Sequence, residues 1–157
     1  MTRYFFPVMA GTKLRQDDYE KLLGFRTALR RFLRWSEAEA RAAGLTPAQH
    51  QLLLAVRGHP DPAGPTIGDL SEYLVLRHHS VVELVDRAVA AGLVRRQRDG
   101  GDNRVVRLRL SADGERAIED LTLLHLEEIR RLAPALRALG NGGDEAGGGL
   151  GLEAPPR

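Results

Sequence analysis

Residues 66–111 read TIGDLSEYLVLRHHSVVELVDRAVAAGLVRRQRDGGDNRVVRLRLS, and the pattern of apolar positions changes twice along them. Thr66, with Asp69 three residues on, is a helix cap, and Ile67, Leu70 and Leu74 are the inward positions of a short helix that ends near Leu74. A tight connection through Val75 and Leu76 leads to a second helix, about His78 to Ala91, with Val81, Leu84, Val85 and Ala88 on one face. His78, His79, Val82, Glu83, Asp86 and Arg87 are left facing outward to varying degrees, and Gly92 ends the helix. From Val94 the chain is extended, Asp99 to Asn103 is rich in turn formers, and Val106, Leu108 and Leu110 alternate with Val105, Arg107 and Arg109. That is a two-stranded hairpin.

The flanks are helical. From about Asp17 to Ala43, Leu22, Phe25, Leu29, Phe32 and Leu33 form a seam in mostly three- and four-residue steps. Gly44 stops that helix, and Thr46-Pro47-Ala48-Gln49 starts the next with a cap, a first-turn proline and a capping-box glutamine, carrying it to about Arg57. Residues 58–65 are a loop because their prolines and glycines cannot continue a helix. Ser111 caps a last helical region with Ile118, Leu121, Ile129 and Leu132 as its stripe, which Pro134 is expected to bend or interrupt. Three parts result: an N-terminal arm (1–16), the folded domain (17–139) and a glycine-rich, disordered tail (140–157).

The chain's 157 residues, 43% hydrophobic, suffice for one compact domain. With no cysteine, disulfides, thiolate zinc sites and cysteine nucleophiles are excluded. The apolar stretch Tyr4 to Gly11, broken by Pro7, has no clear cleavage site after it, and no apolar run approaches a membrane span. The expectation is a soluble cytoplasmic protein without a membrane partner.

A formal charge of +2 hides an uneven distribution. Leu93 to Leu110 carries Arg95, Arg96, Arg98, Arg104, Arg107 and Arg109 against Asp99 and Asp102, a local charge of +4, whereas Ser111 to Arg157 holds five arginines against nine acids. The basic surface therefore belongs to the hairpin, where it suits phosphate contacts. A short helix, a tight turn, a second helix and a basic hairpin are what a helix-turn-helix with a wing requires, the second helix entering a major groove and the hairpin reaching the neighbouring backbone.

From Leu45 to Ile118, about half the chain, the sequence resembles the MarR family of winged-helix transcriptional regulators. The resemblance is carried by Leu84-Val85-Asp86-Arg87, Gly92-Leu93-Val94, Asp102-Asn103-Arg104 and Leu108-Arg109-Leu110-Ser111, with Gly114 following. It implies a mainly α fold with a small β-hairpin wing, flanked by N- and C-terminal dimerisation helices. It further implies a homodimer on a roughly palindromic double-stranded DNA operator, repression as the mode of control, and a small aromatic or phenolic ligand between the dimerisation helices and the winged helix. By position Arg104 matches the family's wing-tip arginine and Asp102 the acid that orients it, while Asn103 stands where many members carry a second basic residue. A guanidinium suits that place because a narrow minor groove concentrates negative potential. Arg77, His78, His79, Ser80, Val82 and Glu83 occupy the portion nearest the DNA, and Arg87 and Arg98 complete the expected contacting set.

Plainer readings stand beside these. Arg107 and Arg109 taken singly read as a solvated strand face, and Asp86 and Arg87 serve equally well as a fold-bracing salt bridge or a phosphate contact. His50 and His59 read as isolated polar residues, and His125 as a satisfied core or interface histidine. Adjacent His78 and His79 diverge, so a shared metal is not expected, nor is any cofactor. Trp35 and Phe32 are candidates for lining a ligand pocket, though core or interface packing is the commoner use of such residues. Neighbouring Glu127 and Glu128 read as a solvated face, and without a nucleophile elbow, phosphate-cradling loop or metal-hydrolase motif an enzyme is not expected. The alternative to an operator-reading regulator is a winged-helix protein-interaction module whose basic hairpin binds an acidic partner.

Overall fold

A computed structural model describes residues 14–98 and 105–140, the last six of them by backbone alone. The elements are α1 (Gln16–Ala42), α2 (Pro47–Gly58), α3 (Ile67–Leu74), α4 (His78–Ala90), β1 (Val94–Arg98), β2 (Val106–Leu110) and α5 (Ala112–Gly140). All but the last three residues of the expected N-terminal arm, and everything after Gly140, lie outside the described residues.

Local chemistry sets most of the boundaries. Thr46 and Thr66 accept the amides of Gln49 and Asp69, and the side chains of these two first-turn residues accept the threonine amides in return, closing a capping box at the start of α2 and of α3. Ser111 does similar work for α5, its Oγ accepting the Gly114 amide at 3.0 Å and donating to the Gly92 carbonyl at 2.6 Å. Pro134 does not interrupt the last helix: α5 is continuous for 29 residues. The ring removes one backbone hydrogen bond late in a long helix, and the turns on either side carry the axis onward.

β1 and β2 pair antiparallel from Val94↔Leu110 to Arg98↔Val106. The base of this hairpin is sewn to the loop before α3. Leu108 donates its amide to the Pro65 carbonyl at 2.9 Å, and Thr66 bridges Arg107. Gly64 makes that approach possible, since it has φ +87 and a Cβ there would overlap the Leu108 carbonyl.

One core unites these pieces: Leu52, Leu53 and Val56 of α2, Leu70 of α3, Val81, Leu84, Val85 and Ala88 of α4, Val94, Leu108 and Leu110 of the hairpin, and Ile118 and Leu121 of α5. All four positions read as the inner face of α4 are buried. The far halves of α1 and α5 pack on each other but leave Leu22, Phe25, Leu29, Leu33, Leu123, Leu126 and Ile129 exposed. Among the described residues no helix is long and apolar enough to cross a membrane.

Candidate nucleic-acid interface

Two short helices with a sharp turn between them build the site. Val75 makes the turn in the left-handed region (φ 54, ψ 41), while the amides of Val75 and Leu76 bond back to the carbonyls of Glu72 and Ser71. Its side chain is 88% exposed, so a β-branched residue is held at positive φ without packing that explains it. α4 then begins at His78 behind an extended Arg77 that makes no side-chain cap bond. Its first-turn amides are therefore left to an outside acceptor.

With Val81, Leu84, Val85 and Ala88 buried, helical geometry puts His79, Glu83 and Asp86 along the opposite ridge. Arg77, His78, His79, Glu83 and Arg87 are exposed, and Ser80 and Val82 are half-buried at the edges of that ridge. Arg98, at the outer end of β1, is exposed as well. Asp102, Asn103 and Arg104, the expected wing tip, lie outside the described residues.

The hairpin's arginines divide by strand position. Arg96 gives a guanidinium hydrogen to Asp86 Oδ1 at 2.6 Å, tying β1 to α4, so Asp86 is a brace. Arg107 is not on a solvated face. Its guanidinium reaches Asp61 at 3.1 Å and the Gly64 carbonyl at 2.9 Å, with the side chain only 20% exposed. The cross-strand partner of Arg95 is Arg109, and Arg95 and Arg98 remain as outward charge on β1. The open amides at the start of α4 were missed from sequence, although the lack of a Ser, Thr, Asp or Asn at position 77 was the available signal.

Three histidines away from this surface also have partners. His59 Nδ1 is 2.9 Å from the Tyr73 hydroxyl, so it is not isolated. Neither is His50, which is 3% exposed with its ring centroid 4.7 Å from that of His125. His125 donates Nδ1–H to the Leu121 carbonyl and accepts at Nε2 from Ser36 Oγ, both at 2.7 Å, in the tautomer that satisfies both contacts. Burial, and after it the repulsion that two protonated imidazoles this close would feel, hold the His50 imidazole below its usual pKa. Asp69 is also lowered, chiefly by the Thr66 amide and then by the Thr66 hydroxyl. Glu128 is not part of a solvated face either, being 11% exposed and paired with Arg131 at 2.7 Å. No group of three His, Asp or Glu side chains that could hold a metal ion occurs among the described residues.

A short capped helix, a left-handed turn, a second helix with polar groups along its outer ridge, and a basic two-stranded wing define a winged helix-turn-helix protein. Residues 43–104 match the MarR family. It is 38% identical over 65 residues to YsmB, an uncharacterised HTH-type transcriptional regulator of Bacillus subtilis, a match spanning 41% of this chain and 44% of that protein. A MarR family protein from Bacillus stearothermophilus superposes with a TM-score of 0.63 at 28% identity, over 82% of this chain and 96% of that one. MepR, a transcription regulator of the Staphylococcus aureus multidrug efflux pump MepA, shares the fold with a TM-score of 0.63 at 20% identity, over 74% and 83% of the two chains. A MepR–DNA complex superposes with a TM-score of 0.60 at 19% identity, over 69% and 78%.

Proposed function

We propose that this protein is a sequence-specific, double-stranded DNA-binding transcriptional regulator that acts as a homodimer, with repression as its mode. The observation that carries this reading is the outer ridge of α4. It offers donors and acceptors beside open first-turn amides, next to a wing that keeps Arg95 and Arg98 turned outward. Under this reading α4 enters the major groove, with Arg77, His78, His79, Ser80, Val82, Glu83 and Arg87 against bases and phosphates. Arg98, Asp102 and Arg104 follow the backbone into the flanking minor groove. YsmB's description as a transcriptional regulator and the DNA-bound MepR both support it.

The dimer face is formed by α1 and α5. Leu22, Phe25, Leu29 and Leu33 on one helix and Leu123, Leu126 and Ile129 on the other make a broad exposed apolar surface. Surfaces of that kind call for a cover, and two-fold symmetry would set the two copies of α4 about 34 to 36 Å apart, one turn of DNA. Sedimentation at micromolar concentration is expected to give a dimer.

Response to a small aromatic or phenolic ligand belongs to the same proposal. A recess of about 200 Å³ between α1 and α2, bordered by Leu33, Ser36 and His50, lies where the dimerisation helices meet the winged helix. Trp35 packs 4.8 Å from the His125 ring and does not border that recess. Aromatic carboxylates are expected to raise the melting temperature, and a screen in which none does would remove the ligand from this reading.

Fluorescence anisotropy on the DNA upstream of the protein's own coding region, against scrambled DNA over a salt series, tests the central claim. A preference of roughly a thousandfold or more is expected. Arg104→Ala should weaken operator binding and leave the dimer intact, and unchanged affinity at every salt concentration would sink the wing assignment. If neither that DNA nor a random-sequence selection yields a preferred site, the regulator reading fails.

A further inference from the structure

We propose, on the basis of the DNA-reading assignment above, that Glu83 is a specificity-determining residue that selects a C·G base pair at one position of each operator half-site.

One charge on α4 has no structural use. Glu83 is exposed at the middle of α4's outer ridge, one turn beyond His79 and opposite the buried Val81, Leu84, Val85 and Ala88. It makes no ion pair or hydrogen bond with a described residue, although Arg87 stands four residues on, at a spacing where helical pairs commonly form. The other acid of the ridge, Asp86, differs in this respect because Arg96 holds it at 2.6 Å. Glu83 is thus an uncompensated carboxylate on a surface where the other acid, Asp86, is paired and the outward charges Arg77, Arg87, Arg95 and Arg98 are cations.

Against DNA such a group is unfavourable almost everywhere. Phosphates repel it, and so do the acceptors that guanine (N7, O6) and thymine (O4) present in the major groove. Only amino groups attract it, at cytosine N4 and adenine N6. Adenine places its N7 acceptor beside N6, facing the second carboxylate oxygen, whereas cytosine has no acceptor there. The carboxylate therefore accepts from cytosine N4 and discriminates against the other three bases largely by repulsion. It lowers general affinity for DNA while sharpening the choice of site.

The test is selection from a randomised double-stranded DNA library by the full chain and by its Glu83→Gln and Glu83→Ala variants. Anisotropy on the selected sites follows. Because Glu83 is exposed and unpaired, both variants should keep the wild-type melting curve. Wild type should enrich cytosine at one position in each half-site and lose about tenfold in affinity when that base is changed. Glu83→Gln should move the preference at that position toward adenine, the base its amide can pair with at N6 and N7, and Glu83→Ala should abolish it. Both should bind non-specific DNA more tightly, with the other positions of the site unchanged. Variants that bind all DNA more tightly but select the same bases throughout would show only the loss of a solvated charge, and would overturn the inference while leaving the regulator reading intact. A wild-type protein that enriches no site would overturn both.

Discussion

Gly114 stands where the first turn of α5 passes over the residue that leads into β1. The Leu93 carbonyl accepts the Ser111 amide at 3.0 Å, and a Cβ on Gly114 would overlap that same oxygen. An alanine there must lift α5 off the hairpin or break the bond, because the obstacle is backbone and not a side chain that can swing away. Gly114→Ala is therefore expected to cost about 2 to 3 kcal/mol in a urea melt, in the range of other overpacked sites. Gly44 is a useful contrast: it has φ +79 but open space around it, so Gly44→Ala should cost only about 1 kcal/mol, the price of a left-handed conformation. Equal losses at the two positions would contradict this division. Gly44 and Gly92 were legible as helix stops from local pattern alone. The close contact at Gly114 was not, since it depends on a strand that arrives from elsewhere in the chain.

At the scale of elements, period and capping signals placed the first four helices, the start of the fifth and the two strands within a residue or two of where they lie, whereas α5 runs on through Pro134, where a bend or break was expected. Their strength is local: Thr46 and Thr66 each find a partner three residues away, and the four inner positions of α4 are fixed by its own repeat. Arg107 shows where local reading stops. In sequence it is one of several arginines on an alternating strand, and only the loop before α3 turns it into a bridge between Asp61 and the Gly64 carbonyl. Arg107→Met keeps the aliphatic stem and removes the donors, leaving the Gly64 carbonyl and the Asp61 carboxylate without them. The expected cost is about 1.5 to 3 kcal/mol, the usual range for a hydrogen bond to a charged group. Arg95→Met, on the outward face of the same hairpin, should stay within about 0.5 kcal/mol. Equal melting curves for the two variants would return Arg107 to a solvated face. Val75 marks a second limit, because a left-handed turn made by a valine carries none of the glycine or asparagine that announces such turns.

The whole molecule joins two parts with different surfaces: a winged helix whose core is closed, and a pair of long helices whose apolar face is open. His50 and His125 stand at that junction, their rings in tilted contact between α2 and α5, with Ser36 of α1 hydrogen-bonded to His125. Neither local periodicity nor composition brings these residues together, which is why the first histidine reads as isolated in sequence. Their position gives stability a particular dependence on pH. The folded His50 imidazole is held below its ordinary value near 6.5, so just under that pH the unfolded chain binds the proton more readily than the native one. Stability from this group is complete above the unfolded value, and it is lost as pH falls from there toward the depressed native value. Melting temperatures taken from about pH 7.5 down to about pH 5 should fall for the wild type, starting near the ordinary histidine range. His50→Phe retains a ring against His125 and cannot take up a proton, so its melting temperature should fall less steeply over the same interval, whatever its value at neutral pH. Parallel slopes would place the acid sensitivity elsewhere and leave the histidine pair as packing alone.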